Sequence, residues 1–168
     1  DIRADVCDKI SREYGIQTRT DPEAAFADPS VDLVYIMTIN STHVPLAKSA
    51  LKQGKAVMVE KPMGVTPQDT EGLLAIAKQT GGYLQAGFEC RYSKLYTTIK
   101  QIIDSGEIGR VRSINLIYSV PPFRDDGEYR NEWRFKSAET GGMFPEKLCH
   151  YIDLPRWWIG GKVSKFFC

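Results

Sequence analysis

The chain has 168 residues, 42% of them hydrophobic and 26% charged, an ordinary globular composition with enough length to bury roughly two-thirds of its unfolded surface. Disorder, collagen and coiled coil are excluded. Lysine and arginine number 22 against 21 acids, a formal net charge of +1, and no basic block is interleaved with aromatics, so no nucleic-acid partner is expected.

The longest apolar run, residues 33–37, falls far short of the roughly 18 residues a membrane span needs, and the first residues form no signal peptide. No membrane partner is expected, and the protein reads as cytoplasmic. Cys7, Cys90, Cys149 and Cys168 contain no C-x-x-C pair. They read as buried small apolar residues in a reducing compartment, with neither disulfides nor structural zinc expected.

A helix opens the chain, with Ile2, Val6, Ile10 and Tyr14 four residues apart and Gly15 as its stop. Asp8 then reads as a surface residue of that helix rather than an acid at a strand end. Nothing precedes the helix, and after Gly160-Gly161 a strand-like start over residues 162–168 breaks off without a partner, so both ends are read as cut. Residues 32–38 are a nearly continuous apolar run, the pattern of a strand buried on both faces of a parallel sheet. A helix follows from about His43, with Val44, Ala47, Ala50 and Leu51 on one face and Gly54 as its end. Residues 56–59 make a second strand that runs into Glu60-Lys61-Pro62.

Thr66-Pro67-Gln68-Asp69 combines an N-cap hydroxyl, a proline at the first helical position and an acid three residues after the cap, so a helix starts there. Leu73, Leu74, Ile76 and Ala77 supply its buried stripe, Gly81-Gly82 ends it, and residues 83–87 form a third strand. Strand, helix, strand, helix, strand with short connections specifies an α/β fold with a parallel sheet. After Gly87 the pattern changes. A helix carrying Leu95, Ile99, Ile102 and Ile103 leads to residues 111–120, where apolar and polar side chains alternate as in a half-buried strand of an antiparallel or mixed sheet. Residues 121–132 then read as a polar loop, and a second domain is expected to begin near this change.

Ligands of open α/β sheets bind beyond the carboxyl ends of the strands. Three such places are polar here: residues 38–43, Glu60-Lys61-Pro62, and residues 88–92. The first is equally readable as turn and N-cap chemistry. At the second, proline restricts Lys61 to extended geometry and a titratable amine stands at a strand end, either facing a ligand or in a solvated charge pair. Glu146, His150 and Asp153 fall at i, i+4 and i+7, one face of one helix, where a carboxylate can orient an imidazole for proton transfer. That helix is expected to kink or end near Leu154, before Pro155. No further His or Cys stands at useful spacing from Glu146 and His150, so no metal is expected. Trp133 and Arg134, just before Gly141-Gly142, suit the binding of hydroxyls or a carboxylate, or anchor their loop to the core. None of the 14 glycines forms Gly-x-Gly, so the phosphate cradle of a dinucleotide fold is absent from these residues.

The stretch 32–62, with Thr38, Asn40, His43, Ala50-Leu51, Gly54-Lys55 and Glu60-Lys61-Pro62 in register, resembles the Gfo/Idh/MocA oxidoreductases. The likeness continues through Gly87-Phe88, Arg91-Tyr92, residues 104–109, Trp133-Arg134, Gly141-Gly142 and residues 146–153. The resemblance implies the second part of an NAD(P)-binding Rossmann domain over residues 1–88. It implies that residues 89–168 begin a substrate and oligomerisation domain with an open, mostly antiparallel sheet. It further implies hydride transfer between NAD or NADP and a sugar, cyclitol or related polyol, in a homo-oligomeric parent protein. Lys61, His150 and Glu146 take the catalytic places. Thr38, Asn40, His43, Glu60, Lys61 and Pro62 lie around the cofactor, and Arg91, Trp133, Arg134 and Asp153 around the substrate. The sequence departs from the family at Ile39, where proline is usual, at Glu146, where Asp is usual, and at Met143, where a third glycine is usual. A member without turnover, binding a dinucleotide and a protein partner, is the alternative. Residues 1–168 alone are expected to be inactive.

Overall fold

The structure is a computed structural model that describes residues 1–119, 132–165 and 167. The chain forms two compact units, Asp1–Ala86 and Gly87–Cys168. Among the described residues no helix is long and apolar enough to cross a membrane.

In the first unit, α1 (Ala4–Tyr14) ends on Gly15, whose φ of 67° is the left-handed cap that glycine adopts without steric cost. A short helix that sequence periodicity did not signal, α2 (Pro22–Phe26), is capped by the Asp21 carboxylate, which accepts the Glu23 N–H. Then come β1 (Leu33–Ile36), α3 (Asn40–Lys52), β2 (Ala56–Glu60), α4 (Pro67–Thr80) and β3 (Leu84–Gly87), whose last residue opens the second unit. The strands form one sheet in the order β1-β2-β3, with β1 parallel to β2 in the register Leu33↔Ala56 to Ile36↔Val59. The α/β fold with a parallel sheet is therefore as the sequence specifies. The α4 cap is as well: the Thr66 hydroxyl accepts the Asp69 N–H, with proline in the first turn.

That register decides which face is dry. Ile36, Val57 and Val59 are buried against Val44, Ala47, Ala50, Leu51 and Leu73, with Phe26 completing the cluster. On the other face Leu33 and Tyr35 are exposed, so β1 is covered on one side only, not on both as its apolar run suggests. An unbroken apolar run does not report how many layers cover it. Within α4, Leu73 is fully buried while Leu74 is 51% exposed, because consecutive helical residues point about 100° apart and only one of the two can face the sheet. Helix α3 starts at Asn40 rather than His43. The polar residues that read as a turn form its first turn, with the Thr42 hydroxyl donating to the Ile39 carbonyl at 2.8 Å.

In the second unit a 3-10 turn (Glu89–Tyr92) precedes α5 (Lys94–Asp104), and a second 3-10 turn (Glu132–Phe135) precedes α6 (Ser137–Thr140). A π-type turn (Phe144–Leu148) then runs into α7 (Cys149–Ile159). The strand expected over residues 111–120 is not formed by its described part, residues 111–119, nor does the expected strand start after Gly161 appear at residues 162–165. Alternation marks which side chains share a face, but a strand exists only where its N–H and C=O groups pair with a neighbour, and no such partner occurs among the described residues. Of the loop expected at 121–132, all but Glu132 lies outside the described residues, as do Val120, Phe166 and Cys168. Helix α5 buries none of its apolar residues fully, and Leu95 is exposed. Its contact with α7 is made by Tyr96, whose carbonyl accepts the Trp158 indole N–H at 3.1 Å. Helix α7 does not stop before Pro155 but continues to Ile159. Buried Leu154 and Trp158 hold it on both sides of the proline, packing that outweighs the roughly 3 kcal/mol an interior proline costs.

Candidate active site

Two groups of polar residues are brought together, one within each unit. In the first unit the carboxyl ends of β1 and β2 lie side by side because the strands are parallel and in register. Residues 37–39 link β1 directly to the amino end of α3, which places helix N–H groups beside both strand ends. His43, fully buried in the first turn and a half of α3, joins the two loops. Its Nδ1 lies 2.8 Å from the Pro62 carbonyl oxygen and its Nε2 3.1 Å from that of Thr38. Buried Asn40 stands one turn earlier on the same helix, and Thr38 is exposed, sharing a hydrogen bond of 2.7 Å with the Thr42 hydroxyl. Glu60 accepts from the Tyr35 hydroxyl across the strands and from the Lys61 N–H at 3.2 Å. Lys61 is half-buried, and the Lys61–Pro62 peptide is cis. Thus Thr38, Asn40, Lys61 and Glu60 form the rim, and His43 with Pro62 forms its support. A cleft of about 210 Å³ between the first turns of α3 and α4 is lined by Asn40, Ser41, Val44, Pro45, Lys48, Val65 and Asp69. That volume suits a small polar group rather than a whole dinucleotide.

In the second unit the residues converge on α7. The Arg91 guanidinium lays its fork on the Asp153 carboxylate, Nε to Oδ2 at 2.6 Å and Nη2 to Oδ1 at 2.5 Å. It also lies 5.8 Å from the Phe88 ring centre and 5.9 Å from that of Trp157. The Asp153 hydrogen bonds hold the guanidinium still more firmly protonated than usual. The pair joins the first 3-10 turn to α7. His150, buried one turn before Asp153, has Nε2 3.3 Å from Glu89 Oε1 and meets the edge of Phe88 at 5.9 Å.

Glu146 is buried and receives Arg134 at 3.5 Å and Lys147 at 3.7 Å. The single α-helical face expected for Glu146, His150 and Asp153 is interrupted. Glu146 belongs to the π-type turn and only His150 and Asp153 to α7, since a wider turn shifts the register between positions 146 and 150. Arg134 stacks on its neighbour Trp133 at 5.1 Å, and its Nε is buried with no hydrogen-bond partner among the described residues. Tyr151 stacks on Tyr118 at 4.2 Å, and its burial, with Tyr118 close by, pushes its phenol up to about 12.

Sequence reasoning missed Glu89 and Cys90. Both belong to the polar stretch after β3, but nothing in their spacing signals His150, which the fold brings to them. Cys7 is buried as expected, its thiol donating to the Asp1 and Arg19 carbonyls at 3.3 and 3.4 Å, whereas Cys90 and Cys149 are only half-buried. Each of those two sits at the start of a turn or helix and is only partly covered, so burial of small apolar residues does not describe them.

Residues 1–88 match the model of an oxidoreductase family described as having an NAD-binding Rossmann fold, and residues 96–168 match that of the C-terminal domain of the same family. The chain belongs to the Gfo/Idh/MocA oxidoreductase family. It is 32% identical over 158 residues to scyllo-inositol 2-dehydrogenase (NAD(+)) of Bacillus subtilis, covering 94% of this chain and 44% of that protein. It is 32% identical over 148 residues to inositol 2-dehydrogenase of Salmonella typhimurium, covering 86% of this chain and 41% of that one. Among solved structures, apo scyllo-inositol dehydrogenase from Lactobacillus casei superposes with a TM-score of 0.77 at 29% identity, covering 95% of this chain and 46% of that one. The chain thus spans less than half the length of these Gfo/Idh/MocA relatives.

Proposed function

We propose that the protein is a nicotinamide-dependent oxidoreductase that moves a hydride between NAD or NADP and the CH–OH group of a sugar, cyclitol or related polyol. The observation that carries this reading is Lys61 at the carboxyl end of a parallel strand, within the Glu60-Lys61-Pro62 sequence of a family whose relatives are named as inositol dehydrogenases. Residues 1–88 serve as the second part of the dinucleotide-binding domain and residues 89–168 as the beginning of a substrate and oligomerisation domain. The rim of Thr38, Asn40 and Glu60 fits a ligand rich in hydroxyls, and His43 with Pro62 sets the spacing of the two loops that carry it.

The chemistry that a bound nicotinamide would supply is acceptance or return of the hydride. The protein supplies the proton transfer: in the oxidising direction the hydroxyl proton passes to the Lys61 amine or to a ring nitrogen of His150. Glu146 places a negative charge among Arg134 and Lys147 at the foot of α7, and the Arg91–Asp153 pair fixes the turn of α7 that presents His150. Trp133 and Arg134, stacked on one another, offer an apolar face and guanidinium N–H groups to a polyol. The near-neutral charge suits a protein without a nucleic-acid partner, and the family resemblance is the ground for reading the parent protein as cytoplasmic and homo-oligomeric.

Lys61→Met in the full-length protein tests the reading. Nicotinamide-dependent turnover on sugars or cyclitols falls at least about a hundredfold, the usual worth of a positioned acid or base. Turnover within a few-fold of wild type would refute it.

A further inference from the structure

We propose that Glu89, Cys90 and His150 form a binding site for a divalent cation of the zinc class. A carboxylate oxygen, a thiol sulfur and an imidazole nitrogen all lie within 4.8 Å of one another, with Glu89 Oε1 3.3 Å from His150 Nε2. Bonds of about 2.0–2.3 Å around tetrahedral zinc set ligand atoms roughly 3.3–3.8 Å apart. One edge of such a tetrahedron is therefore already in place, and the others close by a contraction of about 1 Å. Sulfur, nitrogen and oxygen together match zinc's borderline softness, whereas magnesium and calcium take oxygen ligands.

The fold builds this triad from two distant segments: Glu89 and Cys90 start the 3-10 turn after β3, and His150 is the second residue of α7. Burial grades the donors. His150 is buried with Phe88 against its ring, Cys90 is half-buried, and Glu89 is exposed. The nitrogen and sulfur are thus held while the carboxylate closes from the solvent side, and three protein ligands leave a fourth position for water. The nearest cation in the turn, Arg91, is neutralised by its fork on Asp153. On binding, the Cys90 thiol gives its proton to solvent as the sulfur–metal bond forms, and His150 donates the lone pair of a neutral ring; no electron is transferred. Where His150 rather than Lys61 carries the proton, a bound cation also withdraws it from proton transfer and slows turnover. That consequence rests on the function proposed above, whereas the metal site does not.

Titration of the full-length protein with cobalt(II), a coloured stand-in for zinc, tests the site directly. Near-ultraviolet thiolate-to-cobalt absorption rises to saturation with release of a proton, and zinc abolishes it. Cys90→Ser, folded by circular dichroism, loses the band. Glu89→Gln weakens binding at least about tenfold, as loss of even an outer-shell partner does, and Cys149→Ser keeps the band. A wild-type protein without the band, or Cys90→Ser retaining it, would overturn the proposal. Zinc slows wild-type turnover and not that of Cys90→Ser, each measured against its own zinc-free rate. If the cobalt band forms yet zinc leaves wild-type turnover unchanged, the proton-handling role of His150 falls and the metal site stands.

Discussion

In Asp1–Ala86 the buried side chains are mostly apolar, with Phe26, Ile36, Val57, Val59, Leu51 and Leu73 stacked between one sheet face and its helices. Among the described residues of Gly87–Cys168 the buried side chains are Leu154 and Trp158 beside Thr140, Glu146, His150 and Asp153. Each buried polar group needs a partner of fixed geometry, and an unpaired one costs as much as a lost core contact. The first unit is therefore a stack of interchangeable apolar contacts, and the second a set of assigned pairs. The units should respond differently to the same kind of damage.

The largest effect is expected in the apolar stack. Leu73→Ala lowers stability by about 2–5 kcal/mol, a cavity cost, while Leu74→Ala, one residue away on the exposed side of α4, stays within about 0.5 kcal/mol. Urea unfolding of the two variants side by side checks this, and equal losses would show that the uncovered face is buried in the working protein.

A smaller effect is expected from the pairs. Asp153→Ala removes the carboxylate from under Arg91, whose side chain is 39% exposed and so partly rehydrated, and stability falls by about 1–2 kcal/mol. A double-mutant cycle with Arg91→Ala isolates the pair. A coupling near zero would reduce the second unit's pairs to surface decoration.

The smallest effect concerns Tyr151. Burial, with Tyr118 beside it, raises its phenol from 10.0 to about 12. Above the unfolded value the unfolded chain loses this proton while the folded one keeps it, so stability falls as pH rises from 10 to about 12. Tyr151→Phe flattens that slope, measured as the change in urea midpoint across the interval. An unchanged slope would mean that the Tyr118 stack leaves the phenol open to water.

The same contrast explains what could be read in advance. The strands, the Thr66 cap and the Gly15 and Gly81 stops are written in neighbouring residues, where periodicity and capping chemistry act within a few positions. Lys61 at a strand end was legible for that reason. The pairing of Arg91 with Asp153 and the approach of Glu89 and Cys90 to His150 were not, because each joins residues far apart in the chain. The Glu146–His150 spacing misled, since a four-residue separation implies one face only while the helix keeps 3.6 residues per turn, and here a π-type turn intervenes.

Local pattern alone determined the alternation of strands and helices in the first unit, the parallel sheet that follows from it, and the family likeness carried by residues 32–62. Tertiary structure decided which face of β1 is dry, that α7 runs past Pro155, and which carboxylate stands beside which cation or imidazole. The physical reason is one of range. Backbone hydrogen bonding and side-chain periodicity are settled between near neighbours, whereas burial and ion pairing are settled by whichever distant group the finished fold brings within a few ångströms.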